Sequence, residues 1–366
     1  MGWTEPAATS EAAPEDSATS EAAHEYSATS EVAHEDPATS QAGLDELAMV
    51  EAARLGQGAR GRTAPNPNVG CVIVGKDGQL VASGATAPGG RPHAEAVALA
   101  AAGEAARGAT LYTTLEPCAH ASERGPTCAA LIPAAGIARV VVAVEDPDPR
   151  TSGEGIAMLR AAGVSVALID SGPARDSLSG YLTRLALGRP RITLKLALSI
   201  DGKIALPSGE SKWITGEDAR AHVHLERAHS DMILVGRGTY LADSPSLDVR
   251  LPGLELWSPR RALLTRGGAV AGWETLSSPQ DVFRLHDVND LLVEGGSGAA
   301  TAFLAADLVD RILIYRAPIL VGAGKSSFGY IGLDTIVDAH GRWQARDGAQ
   351  LGIDRLEVYE RIAQGD

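Results

Sequence analysis

The chain has 366 residues, enough for two domains with cores of their own, and no stretch approaches the roughly 18 apolar residues that cross a bilayer. Its formal net charge is −14, but nine acids and no Lys or Arg fall in residues 1–42, which leaves −5 for the rest; so mildly acidic a body excludes a general nucleic-acid binder, which carries a basic patch. Cys71, Cys118 and Cys128 are too few and too unevenly placed for a secreted disulfide framework, and without a basic, apolar leader the expectation is a reducing cytoplasm.

Residues 11–20, 21–30 and 31–40 form a ten-residue repeat, each copy ending in Ala-Thr-Ser. Ten residues are too few for a solenoid unit and each copy has little to bury, so residues 1–42 read as a disordered acidic tail. Order begins near Leu44, where Leu44, Leu47, Ala48 and Leu55 share a helical face that Gly56 and Gly58 end. A turn-rich loop from Thr63 to Gly70 enters a strand at Cys71, and Lys76-Asp77-Gly78 turns it back into a second strand. A helix from His93, a strand over 109–115, a helix over 128–136, a strand over 139–144, a helix over 153–162 and a strand over 164–169 follow. That alternation predicts a three-layer α/β/α domain over 43–171, in which Cys71 is a packing residue. Residues 172–190 read as a linker, helical in part, and a second α/β domain over 191–366 opens with the strand at Arg191.

One constellation carries chemistry. Pro92-His93-Ala94-Glu95 opens an Ala-rich helical run, Glu116-Pro117-Cys118 follows a strand, and Cys128 lies ten residues beyond Cys118. Each residue alone has a bland reading, as a core thiol or a helix-start histidine; the ordered set does not. One His, two Cys and a nearby Glu are the inventory of a hydrolytic zinc site, where three protein ligands leave a position for water and the metal makes that water nucleophilic near neutral pH. Glu95, two residues past His93, is placed to shuttle protons without binding the metal.

These residues resemble the cytidine-deaminase-like superfamily. Together with Pro65-Asn66-Pro67, Val69-Gly70-Cys71, Thr114 to His120, Ala134-Ala135-Gly136 and Glu145-Asp146-Pro147, they resemble more closely the bifunctional deaminase-reductases of riboflavin biosynthesis. The resemblance implies His93, Cys118 and Cys128 as zinc ligands, Glu95 as proton shuttle, and Asn66 and His120 as substrate contacts, although Asn66 also suits an Asx turn. The chain departs from the family in two loops. Ten residue steps separate the paired cysteines where nine are usual, and Gly84-Ala85-Thr86 stands where the family carries a His. Substrate recognition at 84–92 and 119–127 is therefore where a paralogue acting on another pyrimidine, or a zinc scaffold without turnover, would differ.

In the second half, Leu291-Leu292-Val293-Glu294 runs into Gly295-Gly296-Ser297-Gly298 and a helical stretch, and Ile233-Leu234-Val235 runs into Gly236-Arg237-Gly238-Thr239. Gly-rich turns from strand to helix let backbone amides approach a phosphate, and two of them suit a dinucleotide. Ser199 to Lys203, Gly209 to Thr215 and Leu241 to Arg250 resemble the reductase half of the same family, which implies a dihydrofolate-reductase-like fold and NADPH. The family pattern places the cofactor against Ala197, Trp213, Thr239, Asp243, Thr265, Gly296, Ser297, Gly298, Ala299, Ala300, Thr301 and Ala302. It places the substrate, a phosphorylated pyrimidine, against Ser211, Arg227, Leu247, Arg250 and Glu294. Arginine suits a sugar phosphate because its planar fork meets oxygens in pairs; an ordinary helix arginine is the competing reading of Arg227. The family also implies a homodimer or higher homo-oligomer, while the charge balance and the lack of a long apolar stretch leave nucleic acid and membrane out as expected partners. No residue stands out as the reductase proton donor.

Overall fold

The computed structural model describes residues 40–120 and 125–362; the acidic repeat and loop residues 121–124 lie outside the described residues. Helix α1 spans Gln41–Gly58, three residues earlier than its apolar periodicity indicates. Ser40 is the reason: its hydroxyl accepts from the Gly43 amide at 3.2 Å and caps the first turn. The inner face of α1 is small, with Ala48, Met49, Ala52 and Ala53 buried, and this lets the helix lie close on the sheet below.

That sheet has the order β2-β1-β3-β4-β5, built from β1 (Gly70–Val74), β2 (Leu80–Ala85), β3 (Thr110–Leu115), β4 (Arg139–Val144) and β5 (Ser165–Leu168). The hairpin β1–β2 is antiparallel, as is β1 against β3, whereas β3, β4 and β5 run parallel. Parallel neighbours need crossover helices, supplied by α3 (Cys128–Ala134) and α4 (Glu154–Ala161), while α2 (Ala94–Ala102) packs beside β2 and β1. Strands β3 and β4 are buried along almost their whole length, the burial that helices on both faces produce. Cys71 is fully buried within this core.

Residues 172–190 are more than a connection. They fold as α5 (Gly172–Ser177) and α6 (Ser179–Leu187), and Ala174, Leu178 and Tyr181 are buried in the first core. Their spacing of three and four residues puts them on one helical face, so this segment completes the first domain and the crossing proper is Gly188 to Pro190.

The second domain is an eight-stranded sheet of order β10-β9-β8-β11-β6-β12-β15-β14. Its strands are β6 (Arg191–Leu198), β8 (Met232–Gly236), β9 (Arg260–Leu264), β10 (Glu274–Leu276), β11 (Asp290–Val293), β12 (Arg311–Arg316), β14 (Trp343–Leu351) and β15 (Asp354–Arg361); β7 (Lys203–Ala205) pairs with β13 (Lys325–Ser326) in a small separate ladder. The first six run parallel and the β14–β15 hairpin closes one edge antiparallel. Helix α7 (Glu217–Ala228) covers one face; α8 (Arg237–Asp243) follows β8 and α9 (Ser297–Ala305) follows β11. Because β8 and β11 are neighbours, the two Gly-rich turns that end them stand side by side.

A polar seam joins the halves. Gly61, at φ 71°, sits against the end of α7 so closely that a Cβ there would fall 2.4 Å from the Ala228 carbonyl oxygen, so glycine is required twice over. Arg60 reaches Asp290 at 2.5 Å, each side chain only 6% exposed, and the Arg62 guanidinium lies 4.6 Å from the centre of the Trp257 ring. Breaking a buried pair strands a charge. Arg60→Met is therefore expected to destabilise the fold by about 3–5 kcal/mol, read as a lower urea midpoint with the slope unchanged; a change below about 1 kcal/mol would contradict it.

His229, in the same seam, has its pKa lowered to about 4 by burial first and by the Arg60 charge second. The unfolded chain therefore takes up the proton first, so this residue's contribution is whole above pH 6.5 and is lost as pH falls toward about 4. Asp231, raised to about 6 by burial and by Asp290, acts in the opposite sense. The parent-minus-variant difference for His229→Asn isolates the histidine: the parent should lose more stability than the variant on acidification through this window, and parallel curves would contradict that.

Candidate active sites

His93 is the N-cap of α2, with extended backbone that turns its ring away from the helix. Cys128 is the first residue of α3, whose cap Thr127 accepts from the Ala130 amide. Cys118 lies in the loop after β3, where its carbonyl accepts from the Ala129 amide at 3.2 Å and its Sγ accepts from the Cys128 amide at 3.4 Å. Two helix starts and a strand end thus converge. The His93 Nδ1 stands 3.5 Å from both sulfurs, and all three ligand atoms lie within 4.8 Å of one another. Tetrahedral zinc with thiolate and imidazole bonds of ordinary length needs ligand atoms about 3.5 Å apart, so this donor set fits the metal.

The electrostatics suit the same reading. Hydrogen bonding from the Cys128 thiol, then from His93, draws the Cys118 thiol down to about 4, against its burial. Cys128 itself moves up, because its proton is shared with Cys118. Glu95, 3% exposed, is raised to about 7, chiefly by burial, and its Oε2 accepts from the Cys128 thiol at 3.5 Å. A carboxyl buried beside the ligands without being one of them can carry a proton.

A cavity of about 390 Å³ opens above the ligands, and Asn66 and His120 both line it. His120 Nδ1 lies 3.3 Å from the Thr151 hydroxyl. Within Gly84-Ala85-Thr86, Thr86 is engaged by neighbouring backbone: its hydroxyl accepts from the Val69 amide at 3.0 Å. Three groups that sequence reasoning missed also face this cavity. Arg91 lines it with no ion-pair partner among the described residues; Arg150 lines it paired with Asp148; the Tyr181 hydroxyl donates to Asp146 at 2.9 Å. Glu116 anchors the floor, accepting from the amides of Asp146, Gly153 and Ile156 at 3.0–3.2 Å. The only available signal was its place next to Pro117 and Cys118.

In the second domain the two Gly-rich turns meet: the Gly296 amide donates to the Thr239 hydroxyl at 2.9 Å. They pack so tightly that a Cβ on Gly295 would lie 2.3 Å from that of Ala299. Gly296 caps α9, leaving Ser297 and Gly298 at its open N-terminus, while Ala299 and Ala300 are buried beneath and Thr301 bonds back to the Ser297 carbonyl at 2.7 Å; Ala302 is half-buried in the same helix. Thr265 accepts from the Gly267 amide at 3.0 Å, with Arg237 Nη1 3.5 Å away. Asp243 ends α8 and lies 3.4 Å from Lys212 Nζ, next to Ser211 and to Trp213, which is 69% exposed and carries Arg220 over its ring. Paired amide-rich turns and an open helix start fit a dinucleotide.

The residues expected to face the substrate divide. Arg227 is held by Glu294 in a bidentate pair at 2.6 and 2.9 Å and donates to the Asp248 carbonyl at 3.0 Å. It is therefore no exposed helix arginine, and much of its fork is occupied. Arg250 lies at the surface with Asp248 and Ser246. Leu247, at φ 57°, is 4% exposed and packs in a core cluster with Ile233, Val235, Leu263 and Leu292, so its side chain is not available to a ligand. Lys195 was not anticipated. It shares a face of β6 with Ala197, its Nζ lies 3.9 Å from Glu294, its side chain is 18% exposed, and burial lowers its pKa.

The cytidine and deoxycytidylate deaminase zinc-binding region matches residues 43–144, and the RibD C-terminal domain matches residues 190–272 and 278–351. The riboflavin biosynthesis protein RibD of Escherichia coli is 39% identical over 345 residues, covering 81% of this chain and 94% of its own length; that of Aquifex aeolicus is 36% identical over 355 residues, covering 87% and 99%. The structure of Acinetobacter baumannii RibD superposes with a TM-score of 0.78 at 35% identity, covering 87% of this chain and 99% of that one. A Thermotoga maritima diaminohydroxyphosphoribosylaminopyrimidine deaminase/5-amino-6-(5-phosphoribosylamino)uracil reductase gives 0.78 at 31% identity with the same coverage. The two cores are accordingly a cytidine-deaminase-like zinc domain and a dihydrofolate-reductase-like NADPH domain. The chain belongs to the RibD family of riboflavin biosynthesis, a deaminase and a reductase carried on one polypeptide.

Proposed function

We propose that this chain takes 2,5-diamino-6-ribosylamino-4(3H)-pyrimidinone 5′-phosphate through deamination at the first site and ribosyl-to-ribityl reduction at the second. The observation that carries the reading is the triangle of His93, Cys118 and Cys128 with Glu95 buried against it, at the floor of a cavity that also holds Asn66 and His120. Bound there, zinc makes a water nucleophilic near neutral pH. A carbon–oxygen bond forms at C2, the bond to the amino nitrogen breaks, and ammonia leaves. Glu95 moves the proton from the attacking water to the departing nitrogen. Asn66 and His120 hold the ring, and Arg91, with no ion-pair partner among the described residues, faces the 5′-phosphate. The mildly acidic body supports a small-molecule substrate over nucleic acid, and among the described residues no helix is long and apolar enough to cross a membrane.

At the second site Thr239 and the start of α9 would receive the phosphates of NADPH, and Trp213, Asp243, Thr265 and Ala197 would border the rest of it. NADPH held there would supply the hydride for C1′ of the opened ribose. Lys195 supplies the accompanying proton, since a buried ammonium gives one up more readily than an exposed one. Glu294 holds Lys195 and Arg227 together, so these three act as one charged unit beside the sugar, and Ser211 and Arg250 flank its outer end.

Glu95→Gln keeps the shape of the side chain and removes its proton. Ammonia release is expected to fall by about 10²–10⁴-fold with zinc content unchanged and reduction of the supplied uracil intermediate intact. Retained ammonia release would remove Glu95 from the chemistry. Lys195→Met is expected to lower NADPH oxidation by a similar factor of about 10²–10⁴ while NADPH affinity and ammonia release stay at parent values; equal activity in this variant would leave the reductase proton to another group.

A further inference from the structure

The loop that carries Asn66 is held in part by a side chain of the other domain. Within the loop, the Thr63 hydroxyl donates to the Asn66 carbonyl at 3.1 Å, and the Asn66 side chain lies against Gly90 so closely that a Cβ there would fall 2.0 Å from its Nδ2. Two further donors, to the Pro65 and Asn66 carbonyls, come from α6 and from the reductase domain. Arg184 Nη2 donates to the Pro65 carbonyl at 2.7 Å, and Asn289 Nδ2 donates to the Asn66 carbonyl at 3.1 Å. Arg184 Nε also donates to Asn289 Oδ1 at 2.7 Å, which fixes the Asn289 amide with its nitrogen toward Asn66.

Asn289 is itself immobilised. It is 3% exposed, its amide donates to Asp231 Oδ2 at 2.8 Å, and its carbonyl accepts from the Arg191 amide at 2.8 Å. The next residue, Asp290, carries the Arg60 pair and opens β11, the strand that leads to Glu294. Arg184 in turn lies over the ring of Tyr181, 5.7 Å from its centre, and Tyr181 lines the deaminase cavity.

We propose that Asn289 and Arg184 are positioning residues for deamination: a side chain of the reductase domain, oriented by α6, sets the place of Asn66 at the first site. This rests on the reading of Asn66 as a contact to the pyrimidine. A loop between two rigid elements adopts several conformations unless its carbonyls are engaged, and binding a ring through one amide requires the loop to be ordered in advance. The first domain therefore has its own core and metal ligands but borrows part of its substrate wall from the second.

The full-length, zinc-loaded enzyme tests this with Asn289→Ala, Asn289→Asp, Arg184→Ala and Asn66→Ala. The measurements are kcat and KM for ammonia release, zinc content, thermal midpoint, and turnover of the supplied uracil intermediate with NADPH. Asn289→Ala is expected to raise the deaminase KM about tenfold, with zinc content unchanged and kcat and reductase turnover within about twofold of the parent. Asn289→Asp, which still accepts from Arg184 but sets an anion against the Asn66 carbonyl, should raise KM at least as far. Arg184→Lys should restore part of what Arg184→Ala loses. In the Asn66→Ala background, Asn289→Ala should add nothing further. A high KM in Asn66→Ala with a parental KM in Asn289→Ala would overturn the positioning role alone, whereas a parental KM in Asn66→Ala would overturn the reading of Asn66 itself. Loss of zinc, or equal loss of both activities together with a lower midpoint, would make the contact merely structural and also overturn the proposal.

Discussion

The deaminase half depends on one convergence: an imidazole and two sulfurs brought within bonding reach of a single ion by the starts of α2 and α3 and the end of β3. None of the three can move alone. His93 is fixed by capping a helix, Cys128 by opening one, and Cys118 by bonds from the amides of Cys128 and Ala129. Glu116 secures the same loop from below with three amide bonds. A thiolate pair left without a cation would be repelled by its own charge, and the interaction between the two sulfurs draws the Cys118 pKa down and pushes that of Cys128 up. The geometry is ready for a metal.

The reductase half solves a different problem by the same means. Two parallel strands end next to each other, so two glycine-rich turns share one space, and the bond between Gly296 and Thr239 locks them. Beside them a mostly apolar strand contributes Lys195, held near Glu294, which also pairs with Arg227. A buried lysine next to a single carboxylate is expensive to maintain, and proteins retain such groups chiefly where they act. The seam between the domains is likewise built from charge and close backbone contact: Arg60 with Asp290, Gly61 against α7, Arg184 and Asn289 against the Asn66 loop.

Most of the first fold could be read from the sequence because its strands are short apolar runs that alternate with helical ones. The grouping of His93, Cys118 and Cys128 was legible for a chemical reason, since His, Cys and Glu in this order have few joint uses. What escaped was long-range or small. The start of α1 turns on one serine hydroxyl. The segment over 172–190 has enough polar residues to look like a connection, although Ala174, Leu178 and Tyr181 bury one face of it. Arg60 and Asp290 are 230 positions apart, and no local pattern pairs them. Lys195 left a trace, as the one charge inside Ile192 to Leu198, which reads as an ordinary strand until Glu294 is found beside it. Leu247, carried over for the substrate, has its side chain packed in a core cluster, a placement that no local pattern around it announces.

X-ray absorption at the zinc edge of the purified full-length enzyme tests the central claim most directly. One zinc per chain, with two sulfurs at about 2.3 Å and one nitrogen and one further light atom at about 2.0 Å, is the result this site requires. Absence of stoichiometric zinc, or a shell without two sulfurs that survives in Cys128→Ser, would contradict it.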